Sequence, residues 1–118
     1  MLLDLKTDIW VSALIARAHA AGASAYVVKK GDMDAGSVIL KISALNSYSK
    51  LFVPSRNLSG EVVFTNFQPK PINGSDGLQS SEIAIDDYIQ KRVSQDRDLW
   101  VIEIEDKRGR NFLIERVE

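Results

Sequence analysis

The residues with the most chemical promise are two aspartates one position apart, Asp32 and Asp34, in the stretch GDMDAG from Gly31 to Gly36. Two carboxylates in a glycine-bounded loop offer the oxygen-rich setting that magnesium or calcium prefers. Glu103 and Glu105 could complete a metal site, with Lys41 as a phosphate contact, which is the carboxylate-and-lysine set of metal-dependent phosphodiester hydrolysis. An EF-hand loop places its sharp-turn glycine five positions after the first Asp and a bidentate glutamate eleven after it. Those positions hold Ser37 and Ser43, so the calcium-loop reading fails. Nor does an Asp precede a Glu-x-Lys on adjoining strands. Turn chemistry alone accounts for the stretch: glycine supplies positive φ where a chain reverses, and Asp side chains accept hydrogen bonds from nearby backbone N–H groups. Whether Lys29, Lys30, Arg17 or a cation neutralises the two carboxylates separates a structural turn from a site.

Lys107, Arg108 and Arg110 form a candidate basic patch. No exposed aromatic is interleaved with them to stack a base, so nucleic-acid binding is at most a weak second alternative. Asp8, Ser12 and His19 fall on one side of a helical stretch, but seven residues of helix separate Ser12 from His19 by roughly 10 Å, which excludes a nucleophilic triad. His19, the single histidine, is expected to be solvated or capping. Arg17 stands between two apolar stripes, where its stem must snorkel or its guanidinium must find a carboxylate. Phosphate-loop and dinucleotide glycine patterns are absent. No catalytic set is complete and no cofactor is implied.

These residues must be positioned by a chain of 118, the size of one domain, so residues 1–118 are expected to fold as a unit. Fifteen Lys and Arg against sixteen Asp and Glu leave a formal charge of −1, which argues against a general electrostatic grip on nucleic acid or anionic lipid. The absence of cysteine removes disulfides, thiol nucleophiles and thiolate metal sites. No run is long and apolar enough for a secretory signal or a bilayer span, so no membrane association and a cytoplasmic location are expected.

The apolar period predicts a helix through IWVSALIARAHAA, capped by Thr7 or Asp8 and stopped by Gly22. The runs AYVVKK and SVILKI then predict a hairpin across GDMDAG. A turn at Ala44–Ser49, a short strand from Lys50 to Val53 stopped or edged by Pro54, and the run GEVVFTNF continue a meander. Residues 68–80, with two prolines, two glycines and no period, read as a long flexible loop. Ser80 or Ser81 is expected to cap a second helix from Glu82 to about Gln95. The segment from Trp100 predicts a C-terminal hairpin that turns through Asp106 to Arg110 and returns with Phe112 and Ile114 inward. The expected class is α+β: N-terminal helix, antiparallel β-meander, second helix and C-terminal β-hairpin in one mostly antiparallel sheet, helices on one face.

The segments KTDIWVSALIARAHAAGASAYVVKKGDMDAGSVILKI and DLWVIEIEDKRGRNFLIE resemble a family of small bacterial proteins of unknown function, the one numbered 1491. The resemblance covers Lys6–Ile42 and Ile83–Glu115 and implies a chain of this length with no assigned activity, so it brings no catalytic residue with it. The expected role is a non-enzymatic interaction or structural module, its partner another protein or a second copy of itself. A metal-dependent phosphodiester hydrolase using the loop and hairpin carboxylates is the alternative.

Overall fold

A computed structural model describes residues 5–44, 48–70 and 78–118, with side chains from residue 81 onward in the last segment. Its order is α1 (Thr7–Ala20), β1 (Ser24–Lys29), β2 (Val38–Ser43), β3 (Lys50–Arg56), β4 (Val62–Asn66), α2 (Leu78–Gln95) and β5 (Trp100–Glu105). The expected α+β class holds: two helices and one mostly antiparallel sheet, with strand order β1-β5-β2-β3-β4 and one parallel pair, β2 with β5.

That order corrects the two expected hairpins. β1 and β2 do not pair; β5 lies between them, antiparallel to β1 and parallel to β2. The cause is apolar content. In β2, Val38 through Ile42 are all buried, and β5 buries Trp100, Val101, Ile102 and Ile104. Strands apolar on both faces are stable only when covered on both and flanked by neighbours, so the two strands of this kind pair at the centre. After β5 the chain turns at Asp106–Gly109 and then leaves the sheet. Phe112 and Leu113 pack half-buried beside the core under α1, while Ile114 is exposed rather than inward. The tail ends on β4, where Phe64 donates its N–H to Arg116 O and accepts from Glu118 N–H.

The helices cover opposite faces, not one. Trp10, Val11, Leu14 and Ala18 of α1 pack on Val38, Leu40, Ile42, Ile102 and Ile104. Ile85 of α2, with half-buried Tyr88, Ile89 and Val93, packs on Ile39, Leu51, Leu99 and Val101. Alternate residues of β2 and β5 therefore feed two separate cores. Pro54 does not end its strand: β3 pairs with β4 through Arg56, but its ladder with β2 stops at Leu40 and Phe52, short of the proline that lacks a donor.

The helix ends differ from expectation in an informative way. The N-cap position falls on Lys6, which makes no side-chain cap hydrogen bond, rather than on Thr7 or Asp8. Instead the loop after β1 supplies the acceptors: Thr7 N–H and Asp8 N–H donate to Asp34 O and Met33 O, and the Thr7 hydroxyl donates to Gly36 O at 2.9 Å. Gly22, at φ +89°, follows α1 as expected. α2 starts at Leu78, so Ser80 and Ser81 lie inside it; Ser81 is buried and accepts from Gln68 Nε2. Most of the expected 68–80 loop and the centre of the Ala44–Ser49 turn lie outside the described residues.

Candidate functional site

GDMDAG is a structural crossing. It carries the chain over the start of β5: Asp32 N–H donates to Asp98 O, and Trp100 Nε1 donates to Asp32 O at 2.7 Å. A Cβ on Gly31 or Gly36 would overlap the Asp98 carbonyl oxygen, so both glycines serve close backbone approach rather than positive φ. The Asp32 carboxylate accepts from the N–H groups of Asp34 and Ala35, at 3.2 and 2.9 Å, which closes an Asx turn. Asp34 faces Lys6 across 3.7 Å, both side chains well exposed, a pair of small energetic weight. Lys29 is engaged elsewhere, donating to the carbonyls of Arg97 and Leu99. Arg17 donates from Nε to Phe112 O, and its Nη2 is buried without a partner among the described residues.

The four carboxylates named as metal candidates are not brought together. Asp32 sits beside Asp98 at the start of β5, while Glu103 and Glu105 occupy its far half, roughly 16 to 23 Å along an extended strand. Among the described residues no group of three or more His, Asp or Glu side chains is placed to hold a metal ion. His19, exposed, has Nε2 3.1 Å from the Ala25 carbonyl.

The register gathers a different set on the α2 face of the sheet. One cross-strand row runs Tyr26, Glu103, Lys41, Leu51, and the next runs Ser24, Glu105, Ser43. Lys41 is buried, with Nζ 2.9 Å from Asp86 and 3.1 Å from Glu82 of α2. Burial alone pushes its ammonium pKa down, but hydrogen bonds to Asp86 and Glu82 and the charge of Glu103 outweigh that and raise it. Lys41 thus fastens α2 to the sheet and is not free for a phosphate. Glu103 and Glu105 have no ion-pair partner within 4.0 Å among the described residues, and burial together with their charge raises the Tyr26 hydroxyl pKa.

The edge beside these rows is open. β1 is the outermost strand, and Tyr26, Val27 and Val28 are 43%, 41% and 54% exposed. A strand edge leaves a file of backbone donors and acceptors unpaired, and natural edges are usually blunted by charge, proline or cover. Here a bulge between Val27 and Lys29 interrupts the strand, and His19 of α1 reaches the Ala25 carbonyl. Tyr26 and this edge were missed in the sequence because AYVVKK was assigned a neighbour, β2, that it lacks.

The basic patch divides. Arg110 is locked to Asp106, with Nε on Oδ2 at 3.0 Å and Nη2 on Oδ1 at 2.9 Å, and its guanidinium lies 4.9 Å from the Phe112 ring centroid. Hydrogen bonds from Arg110 hold the Asp106 carboxyl down from 3.8 to about 2. The depressed carboxyl stabilises the fold above the ordinary carboxylate range, and that contribution is lost as pH falls from about 4 toward about 2. Tm is therefore expected to drop through that window in the native chain and to drop less in Asp106→Asn, which starts lower; parallel curves would contradict the pairing. Lys107 and Arg108 stand exposed at the rim of a cavity of about 710 Å³ at the carboxyl ends of β2 and β5. Glu105 and the C-terminal end of α1 line the same cavity and oppose an anion there.

The family model described as protein of unknown function (DUF1491) matches residues 5–114. A crystal structure of a DUF1491 family protein from Caulobacter crescentus CB15 is 38% identical, with TM-score 0.82, covering 97% of this chain and 99% of that one. An NMR structure of a DUF1491 family protein from the same organism is 39% identical, with TM-score 0.79 and coverage of 97% and 96%. A solution structure of a protein from A. tumefaciens is 27% identical, with TM-score 0.68 and coverage of 98% of each chain. No curated protein matches the chain. No helix among the described residues is long and apolar enough to cross a membrane. With its matched span reaching from residue 5 to 114, the chain belongs to the DUF1491 family of proteins of unknown function.

Proposed function

We propose that this protein is a non-enzymatic interaction module of the bacterial cytoplasm that takes an extended partner segment along β1, adding a strand to the sheet. The observation that carries this is the β1 edge of the sheet, with Tyr26, Val27 and Val28 exposed in succession beside Glu103 and Glu105, neither of which makes an ion pair among the described residues. Backbone pairing supplies the affinity of such a contact and the alternate side chains supply its selectivity. A side chain of the added strand in the Ser24 row lies about 9.6 Å from β5, two strand spacings, which a lysine stem and a glutamate side chain span between them. Tyr26 presents an aromatic face to a cation in the neighbouring row. Basic residues on the α2 side of the partner strand are therefore favoured.

A dye-labelled, end-blocked peptide alternating lysine and valine tests this by fluorescence anisotropy against a glutamate–valine counterpart. The lysine peptide is expected to bind, with Kd on the order of 0.1 mM, and Glu105→Lys to weaken it about tenfold or more. Equal binding of both peptides, or none of either, would contradict the proposal.

A further inference from the structure

The cavity of about 710 Å³ beyond the carboxyl ends of β2 and β5 is lined by charges of both signs that do not pair with one another. From it we infer a binding site for a small zwitterion, a molecule that holds an ammonium and a carboxylate a short distance apart, such as a free amino acid or a short peptide. β2 and β5 are the parallel pair, so both deliver their last residues to one end of the sheet, where Asp106 N–H donates to Ser43 O. The chain then parts in two directions. From β2 it passes to β3 on the side away from β5, and after β5 it turns through Asp106–Gly109 toward the end of α1. A crevice outside the carboxyl ends of parallel strands, between connections that diverge, is where ligands collect in such sheets. The volume lies inside the range of roughly 300–1,000 Å³ usual for small-molecule sites.

The charges select the ligand. Arg110 is engaged with Asp106 by a two-point contact and also donates from Nη2 to Ala21 O at 3.2 Å, so this neutral pair braces the turn against the end of α1. Glu105, Lys107 and Arg108 are different: all three are exposed, line the cavity and make no ion pair among the described residues. Register sets Glu105 between Ser24 and Ser43, two small side chains that leave its carboxylate approachable. Ala21 and Gly22 extend the negative side, because the carboxyl end of α1 carries the negative pole of the helix dipole. A simple anion is opposed by Glu105 and that helix end, and a simple cation by Lys107 and Arg108. A molecule with both signs satisfies both walls, its ammonium on Glu105 and its carboxylate on Arg108 and Lys107, where the planar guanidinium matches a carboxylate at two points. The site is distinct from strand pairing along β1 and shares only Glu105 with it. Exposed pairs of this kind are individually weak, so Kd on the order of 1 mM is expected.

Titration of the full chain with trialanine and with free alanine, followed by amide chemical shifts, tests this, with N-acetylated and C-amidated trialanine as comparisons. Saturable shifts are expected at Ser24, Ser43 and Glu105–Arg110, and each capped form should bind about fivefold or more weakly than the zwitterion. Glu105→Gln should abolish the penalty for N-acetylation and keep that for C-amidation, and the double variant Lys107→Gln, Arg108→Gln should do the reverse. A mere loss of folding cannot separate the two ends of the ligand in this way. Saturation by trialanine alone identifies a short peptide as the occupant, and saturation by both probes an amino acid head group. No saturable shift with either probe at about 10 mM overturns the site, as does equal binding of free and capped forms. Shifts confined to Tyr26–Val28 also overturn it, since they place the tripeptide on the β1 edge, whereas loss of this site leaves binding of the end-blocked lysine–valine peptide to β1 untouched.

Discussion

Gly36→Ala is expected to destabilise the protein by about 3 kcal/mol, lowering Tm by roughly 10 °C, the cost of forcing a methyl group into packed backbone. Gly36 is buried, and the new Cβ would collide with the Asp98 carbonyl oxygen while also pressing on Asp32 O and Trp100 Cδ1. None of these neighbours can yield cheaply. Asp98 O accepts from Asp32 N–H, Asp32 O accepts from Trp100 Nε1, and the adjoining carbonyls of Met33 and Asp34 cap α1. One methyl group therefore disturbs the entry of β5, the crossing loop and the start of α1 together. Gly60→Ala is the contrast: Gly60 sits at φ +82° with open space around it, so its replacement carries only the conformational penalty, about 1 kcal/mol. Thermal unfolding of both variants measures the difference, and equal losses would mean the crossing is less tight than described.

Ile102→Ala should be more damaging still, by about 4 kcal/mol, since the side chain is fully buried and its removal leaves a cavity against the α1 core. A domain of this size has a total stability of roughly 5–15 kcal/mol, so the variant should be close to the limit of folding. Val101→Ala, one residue earlier and on the α2 side, should also cost about 2 kcal/mol, because that face is packed against Ile85 and Leu99. A sheet with helices on one face would make one of these two substitutions nearly free. Chemical denaturation of both variants therefore tests the two-core arrangement directly.

The elements of this fold were largely legible in the sequence, and their pairing was not. The period of IWVSALIARAHAA and the glycine after it located α1, and the β-branched runs located β1, β2, β4 and β5. Adjacency in sequence then suggested β1 with β2, because a glycine-rich connection is also what a hairpin needs. The signal against that pairing was present in VILKI, which is apolar on alternate faces with Ile39 opposed to Val38 and Leu40: a strand so built must be buried on both sides and belongs at the centre of a sheet. The same misassignment hid the candidate site. Glu103 and Glu105 fall in the predicted C-terminal hairpin, whereas they stand on an internal strand one position in from the true edge. Glu82 and Asp86 fall near the start of the predicted second helix, and only the packing of α2 on the sheet brings them to Lys41. Ion pairs between distant elements depend on register and helix placement, which no local period encodes.

The central claim is that β1 is the contact surface, and its most direct measurement is an amide chemical-shift map of the full chain titrated with the lysine–valine peptide. The account predicts that the perturbed amides cluster in Ser24–Lys30 and in the Glu103–Glu105 segment of β5, with α2 and β4 unmoved. Perturbations centred on the Lys107–Arg110 turn, on the GDMDAG crossing or on β4 would contradict it.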